Sequence, residues 1–268
     1  MKREQVLSSG VLIRQDFSDA VRPIFFQTEY KDWLYATNGG TLFIIRFRGR
    51  LYALTCKHVF RKFEPSPIFI TQQKQAKKGS MPAPVSSLYF PSSPTGDAVE
   101  TDVVDMCAIE FADDIPADFF GDSPYIFDER TIGTAEVGHR LRVSGVLKDH
   151  SDLIDLAMGY CNLELQDVGA SPDPVLRQAK AKFTNPAITS VVGVSGSPVF
   201  DETSNVLCGM AARGGMVGSD CTIRYIDIFD IAQFLNGIST GASQAFYKKQ
   251  VLPVRAAQLS LKQKMVQP

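Results

Sequence analysis

The chain has 268 residues, 44% hydrophobic and 21% charged, with a formal net charge of −1. That balance is globular. Its near-neutrality excludes a general electrostatic bias toward nucleic acid or anionic membrane, and no apolar run is long enough to span a bilayer.

The length fits one large all-β unit or two small ones, each able to bury a core. Residues 41–47 are β-branched and aromatic and follow Gly39-Gly40. A break at Arg48-Gly49-Arg50 leads into residues 51–55, which predicts a hairpin. Further strands are predicted over 67–71, 87–90 and 103–111. Residues 72–84 and 91–100 are rich in Lys, Ser, Pro and Gly and read as exposed loops, their basic run as solvated surface. Residues 112–136 are irregular and serve as a crossing. A second strand series is predicted over 140–147, 156–165, 179–184, 197–200, 206–211 and 222–228, the spacing of a barrel or sandwich. Residues 229–235 have helical apolar spacing, with Gly237 as a stop. From about Gly241 the chain reads as a short helix or a loose tail.

The amino terminus lacks a sustained apolar stretch and a small-residue cleavage site, so it makes a poor secretory signal. Cys56, Cys107, Cys161, Cys208 and Cys221 form no close-spaced pair, which gives neither a zinc signature nor an obvious disulfide framework. With three well-separated histidines besides, no metal and no cofactor is expected. The expectation is a reduced, cytoplasmic protein.

Three stretches carry chemistry. In Gly193-Val194-Ser195-Gly196-Ser197-Pro198, glycine on both sides of a serine permits unusual backbone conformations and a close approach by substrate. A serine in such a turn projects its Oγ into a cleft, with neighbouring N–H groups converging as an oxyanion hole; a plain surface turn uses the same residues. In Thr55-Cys56-Lys57-His58, a histidine ends a strand, and imidazole is the usual general base for a serine. Asp105 directly precedes an apolar strand, where a carboxylate needs a partner. A histidine Nδ1–H is such a partner, and Asp102 is the competitor three residues earlier. The order along the chain is His, Asp, Ser, the first two in the first strand series and the third in the second.

From about Gly39 to Leu235 these stretches resemble the trypsin-like, chymotrypsin-fold serine peptidases, particularly the intracellular and bacterial branch. That family has Thr-Ala-x-His after a glycine-led hairpin, here Thr55-Cys56-Lys57-His58. An Asp-x-Ala-type strand follows, here beginning at Asp105, and then Gly-Asp/Asn-Ser-Gly-Gly-Pro, here from Gly193 to Pro198. The resemblance implies two six-stranded antiparallel β-barrels with a short C-terminal helix. The first barrel and its N-terminal extension would occupy residues 1–128, the second barrel and helix 129–240, and a tail 241–268. It implies a serine endopeptidase with Ser195 as nucleophile, His58 as general base and then acid, and Asp105 orienting His58. The N–H groups of Gly193 and Ser195 would hold the oxyanion. It further implies a substrate pocket lined by Thr189, Ser190, Ala211 and Arg213. Thr189 is neutral, so a small or apolar residue is expected before the scissile bond.

Two positions depart from the family. Val194 stands where digestive members carry an aspartate that pairs with a new N-terminus, so activity without N-terminal cleavage is expected. Ser197 replaces a glycine. The partners expected are a protein or peptide substrate and a regulatory protein, with no nucleic acid and no membrane. The alternatives are a weak or inactive peptide-binding module on the same fold, or a cysteine nucleophile at Cys56 or Cys208.

Overall fold

The computed structural model describes residues 3–6, 12–15, 17–27, 35–36, 39–60, 68–75, 81–91, 105–152, 157–183, 188–241 and 247–251. Its first strands are β1 (Arg3–Val6), β2 (Leu12–Gln15), β3 (Val21–Pro23), β4 (Phe25–Gln27), β5 (Tyr35–Ala36), β6 (Thr41–Phe47), β7 (Arg50–Thr55), β8 (Ile68–Phe69), β9 (Val85–Pro91), β10 (Cys107–Phe111) and β11 (Tyr125–Ile126). The second series is β12 (Arg140–Asp152), β13 (Ala157–Ala170), β14 (Arg177–Lys182), β15 (Pro198–Asp201), β16 (Val206–Val217) and β17 (Asp220–Asp227). Helix α1 (Ile228–Thr240) and β18 (Tyr247–Val251) complete the order.

The expected β6–β7 hairpin is present. Phe47 pairs with Arg50, and both turn residues take positive φ, Arg48 at 49° and Gly49 at 79°. That is the primed turn whose twist matches the flanking strands. From this hairpin grows a seven-stranded sheet in the order β11-β6-β7-β10-β9-β18, with β3 also paired to β6. A separate three-stranded sheet holds β4, β5 and β8. The second series closes into a six-stranded barrel, β12-β13-β14-β17-β16-β15, sealed where Leu141, Arg142 and Val143 pair with Asp201, Phe200 and Val199. The all-β, chymotrypsin-like expectation holds, with one half a closed barrel and the other hydrogen-bonded as a sheet.

Three elements differ from the sequence reading. The tail contributes a strand, β18, which adds to the edge of β9 with Tyr247 opposite Pro91; Asp102 and the rest of residues 242–268 lie outside the described residues. The helix runs through Gly237 to a left-handed cap at Gly241 (φ 61°), whose N–H bonds Ile238 O. One interior glycine costs only about 1 kcal/mol, and the buried face Ile228, Ile231, Phe234, Leu235 and Ile238 outweighs it. The segment before Thr41 also orders. Phe17 stacks on Phe200 of the barrel at 4.4 Å, with the Arg142 guanidinium 4.4 Å above it, while β3 pairs with β6. One short strap therefore grips both halves. No helix among the described residues is long and apolar enough to cross a membrane.

At the corner of the barrel, His139 Nδ1 lies 2.7 Å from Asp201 Oδ2, and Asp201 is fully buried. Its other oxygen accepts the N–H groups of Thr203 and Ser204. The hydrogen bond to Asp201 raises His139 above the ordinary value of 6.5. A raised value in the fold means that the stabilisation is complete below the unfolded value and declines as pH rises through the folded one. The lead of wild type over His139→Gln in thermal midpoint should therefore be larger at pH 6 than at pH 8.5. Calorimetry at the two pH values measures it; an equal lead at both would contradict the assignment.

Candidate active site

His58 stands in a short 3-10 turn, Lys57–Phe60, that follows β7. β10 pairs with β7, with Cys107 opposite Thr55, and this register sets Asp105 beside the turn. His58 Nδ1 is 2.6 Å from Asp105 Oδ2, and the His58 backbone N–H donates to Asp105 Oδ1 at 2.9 Å. One carboxylate thus holds both the ring and the main chain of one residue. Because a carboxylate accepts, Nδ1 carries the proton and Nε2 is the free base. No hydrogen bond to Nε2 occurs among the described residues. The side chains are 27% and 15% exposed, so the pair is mostly covered yet open to an approaching group.

Ser195 lies in the loop that enters β15. Its flanking glycines are needed on geometric grounds. Gly193 has φ 112° and Gly196 φ 88°. A β carbon on Gly196 would sit 2.0 Å from Thr41 O, and one on Gly193 2.3 Å from Val146 O. Around the serine the carbonyls are engaged: Val192 O accepts Lys148 N–H at 2.9 Å, and Ser195 O accepts Thr41 N–H at 2.8 Å. The N–H groups of Gly193 and Ser195 donate to nothing among the described residues. Two unpaired amides beside a hydroxyl form the donor set that stabilises a developing oxyanion.

The two segments meet at one acceptor. Ala211 O receives Gly196 N–H at 2.7 Å and Cys56 Sγ at 3.3 Å, so the residue after Ser195 and the residue two before His58 share a single carbonyl. The next carbonyl, Ala212 O, accepts Ser195 Oγ at 3.2 Å. Ser195 Oγ and His58 Nε2 are not hydrogen-bonded to one another. Sequence reasoning singled out His58, Asp105 and Ser195, of which the structure pairs His58 with Asp105. It missed Thr41 and Thr55: Thr41 Oγ1 donates to Gly193 O across the halves, and within the first half Thr55 Oγ1 donates to Thr41 O, each at 2.7 Å. Only the Gly39-Gly40 pair before Thr41 hinted at the crowding there; a β carbon on Gly40 would sit 2.3 Å from Val59.

Of the expected pocket residues, Thr189 and Arg213 are exposed, and Ser190 Oγ accepts Val192 N–H at 3.2 Å. Ala211 is buried in the barrel core, and its carbonyl rather than its methyl serves the site. An aliphatic floor instead lies under the exposed Gly214. A β carbon there would meet Ile223 Cδ1 at 2.8 Å, Val191 Cγ2 at 3.0 Å and Val194 Cγ2 at 3.4 Å. Val194 is part of the barrel core, and Ser197 Oγ is buried without a hydrogen-bond partner, accommodated by the bare Gly145.

All five cysteines are free. Burial holds the Cys208 thiol well above its ordinary value and lifts Cys161 and Cys221 to about 11, so these stay protonated. Cys208 Sγ donates inside the barrel to Val199 O, which removes it as a nucleophile. Cys56, His58 and Asp105 bring ligand atoms within 4.8 Å of one another, but the thiol and the ring are already engaged by Ala211 O and the carboxylate.

No family model matches the sequence, and no curated protein matches it. Solved structures do. The chain is similar to human heparin binding protein, with a TM-score of 0.57, 12% identity and coverage of 85% of this chain and 94% of that one. It is similar to the scabies mite inactivated protease paralogue S-D1, with a TM-score of 0.56, 12% identity and coverage of 90% and 97%. For the scabies mite paralogue S-I1 the values are 0.52, 15%, 90% and 100%. At such identities the likeness is one of fold, and the fold of this chain is that of the chymotrypsin-like serine proteases.

Proposed function

We propose that this chain is a serine endopeptidase that works through an acyl-enzyme, with Ser195, His58 and Asp105 as its triad. The observation that carries the reading is the shared Ala211 carbonyl, which holds the Ser195 loop against the His58 turn while the Gly193 and Ser195 amides stay unpaired. In the reaction, Ser195 Oγ leaves Ala212 O and attacks the scissile carbonyl carbon. Its proton passes to His58 Nε2, and the carbonyl electron pair moves onto the oxygen facing the two amides. The tetrahedral species expels the amine, which takes the proton from His58; water then repeats the sequence on the acyl group. Asp105 keeps the imidazole in the required tautomer and stabilises its charged form. Each oxyanion donor is worth about 3 kcal/mol of barrier.

Substrate joins the site as an added strand. The β15 ladder on β16 ends at Met210, whereas the ladder with β17 continues through Val217. The residue before the scissile bond then lies over Gly214, where Ile223, Val191 and Val194 leave no depth for a long side chain. The substrate class is peptide with glycine, alanine or serine at that position. Val194 removes the carboxylate that an N-terminal ion pair needs, so full-length chain is active as synthesised. The free cysteines fit a reducing compartment such as the cytoplasm.

A second reading has one observation in its favour: Ser195 Oγ rests on Ala212 O rather than on His58, as in a protein that binds peptides without cutting them. A fluorophosphonate probe separates the two, because only an activated serine is labelled. Labelling of wild type that disappears in Ser195→Ala supports the hydrolase; an unlabelled wild type establishes the binding module. In a peptide-library cleavage profile, Ile223→Ala should extend the accepted residue from small to larger apolar side chains such as leucine. A profile identical to wild type would remove Ile223 from the specificity floor.

A further inference from the structure

The Thr41 hydroxyl sits where two backbone segments of the barrel come within reach of the first half. It accepts the N–H of Val146 at 2.9 Å and donates to Gly193 O at 2.7 Å. Thr41 is fully buried, so both bonds lie away from water. Its main chain is engaged as well, the N–H by Ser195 O and the carbonyl by Thr55 Oγ1. Two residues further along β12, Lys148 N–H holds Val192 O at 2.9 Å. The peptide before Gly193 is thus fixed to β12 directly, and the peptide after it is fixed to β12 through a threonine contributed by the other half. Held on both sides, Gly193 keeps a φ of 112°, and its own N–H donates to nothing among the described residues.

We propose that Thr41 is a positioning residue for the oxyanion amides, its hydroxyl relaying β12 to Gly193 so that the Gly193 N–H is aimed beside Ser195. This rests on the hydrolase reading and adds to it a condition: the amide pair is complete only while the two halves are docked, because the relay crosses between them. A misplacement of about 1 Å at such a donor costs on the order of a hundredfold in rate. A buried carbonyl and amide left without partners have no other way to stay in register.

The test compares wild type, Thr41→Ser and Thr41→Val. The readouts are p-nitrophenyl acetate turnover, fluorophosphonate labelling of Ser195 and hydrogen exchange at the Val146 amide. Thr41→Val should lose about a hundredfold in kcat with KM within threefold, lose labelling rate in proportion, and deprotect the Val146 amide. Thr41→Ser, which keeps the hydroxyl, should restore all three. Thr41→Ala, with room for a water on the two orphaned groups, takes the place of Thr41→Val if that variant does not fold. Wild-type kcat and labelling in the hydroxyl-free variant would overturn the proposal, as would a serine variant as impaired as the valine one. A wild type inert to both probes, with Val146 still deprotected in Thr41→Val, would sink the hydrolase reading and leave the relay standing.

Discussion

One carbonyl, that of Ala211, accepts a donor from each half of the molecule. Gly196 N–H reaches it from the loop that carries the serine, and Cys56 Sγ reaches it from the strand end that carries the histidine. Such sharing demands that backbone approach backbone without side chains between, which is why a β carbon on Gly196 would land 2.0 Å from Thr41 O. Thr41 Oγ1 adds a bond to Gly193 O across the same seam, and Thr55 Oγ1 braces Thr41 O from within their own sheet. The seam is polar and buried. Each bond in it contributes only about 1 kcal/mol net, but leaving one unmade would cost more. The relative placement of His58 and Ser195 is a property of this seam and not of either half alone.

Among the described residues there are two His–Asp pairs of nearly equal length, and their surroundings differ. His139 is bonded through Nδ1 to a fully buried Asp201 and has Glu136 3.7 Å from Nε2, so both ring nitrogens face carboxylates. It is a corner fastening between the strands of the barrel. His58 has a partner on Nδ1 only, and both members of its pair keep a solvent-facing side. The base proposed here needs a nitrogen free to take a proton, and no hydrogen bond to His58 Nε2 occurs among the described residues.

The Ser195 loop is held by hydrogen bonds, and no ion pair fixes it among the described residues. Val194 points into the barrel core with Val191 and Ile223, and no carboxylate stands there to await a cation. The loop conformation is instead set by Lys148 N–H on Val192 O, by Thr41 on Gly193 O, and by the apolar side chains beneath. The same packing that fixes the loop fills the space under Gly214. Loop order and the filled space under Gly214 therefore come from one set of aliphatic residues.

Much of this was readable along the chain. The β6–β7 hairpin, the second strand series and the helix start were set by local chemistry: period-two and β-branched runs, an Arg-Gly turn and helical apolar spacing from residue 229. Asp105 stood out as a carboxylate before an apolar strand, and the glycines around Ser195 stood out as residues in need of a reason. Those are signals carried by neighbours in sequence. The tail strand β18, the Phe17 strap, the Thr41 relay and the Ile223 floor were not readable. Each depends on residues far apart in the chain, such as Thr41 and Gly193, 152 positions apart, meeting only after both halves have formed. Local composition decides which strands exist, whereas the packing of one half on the other decides which hydroxyl, amide and methyl group end up beside the serine.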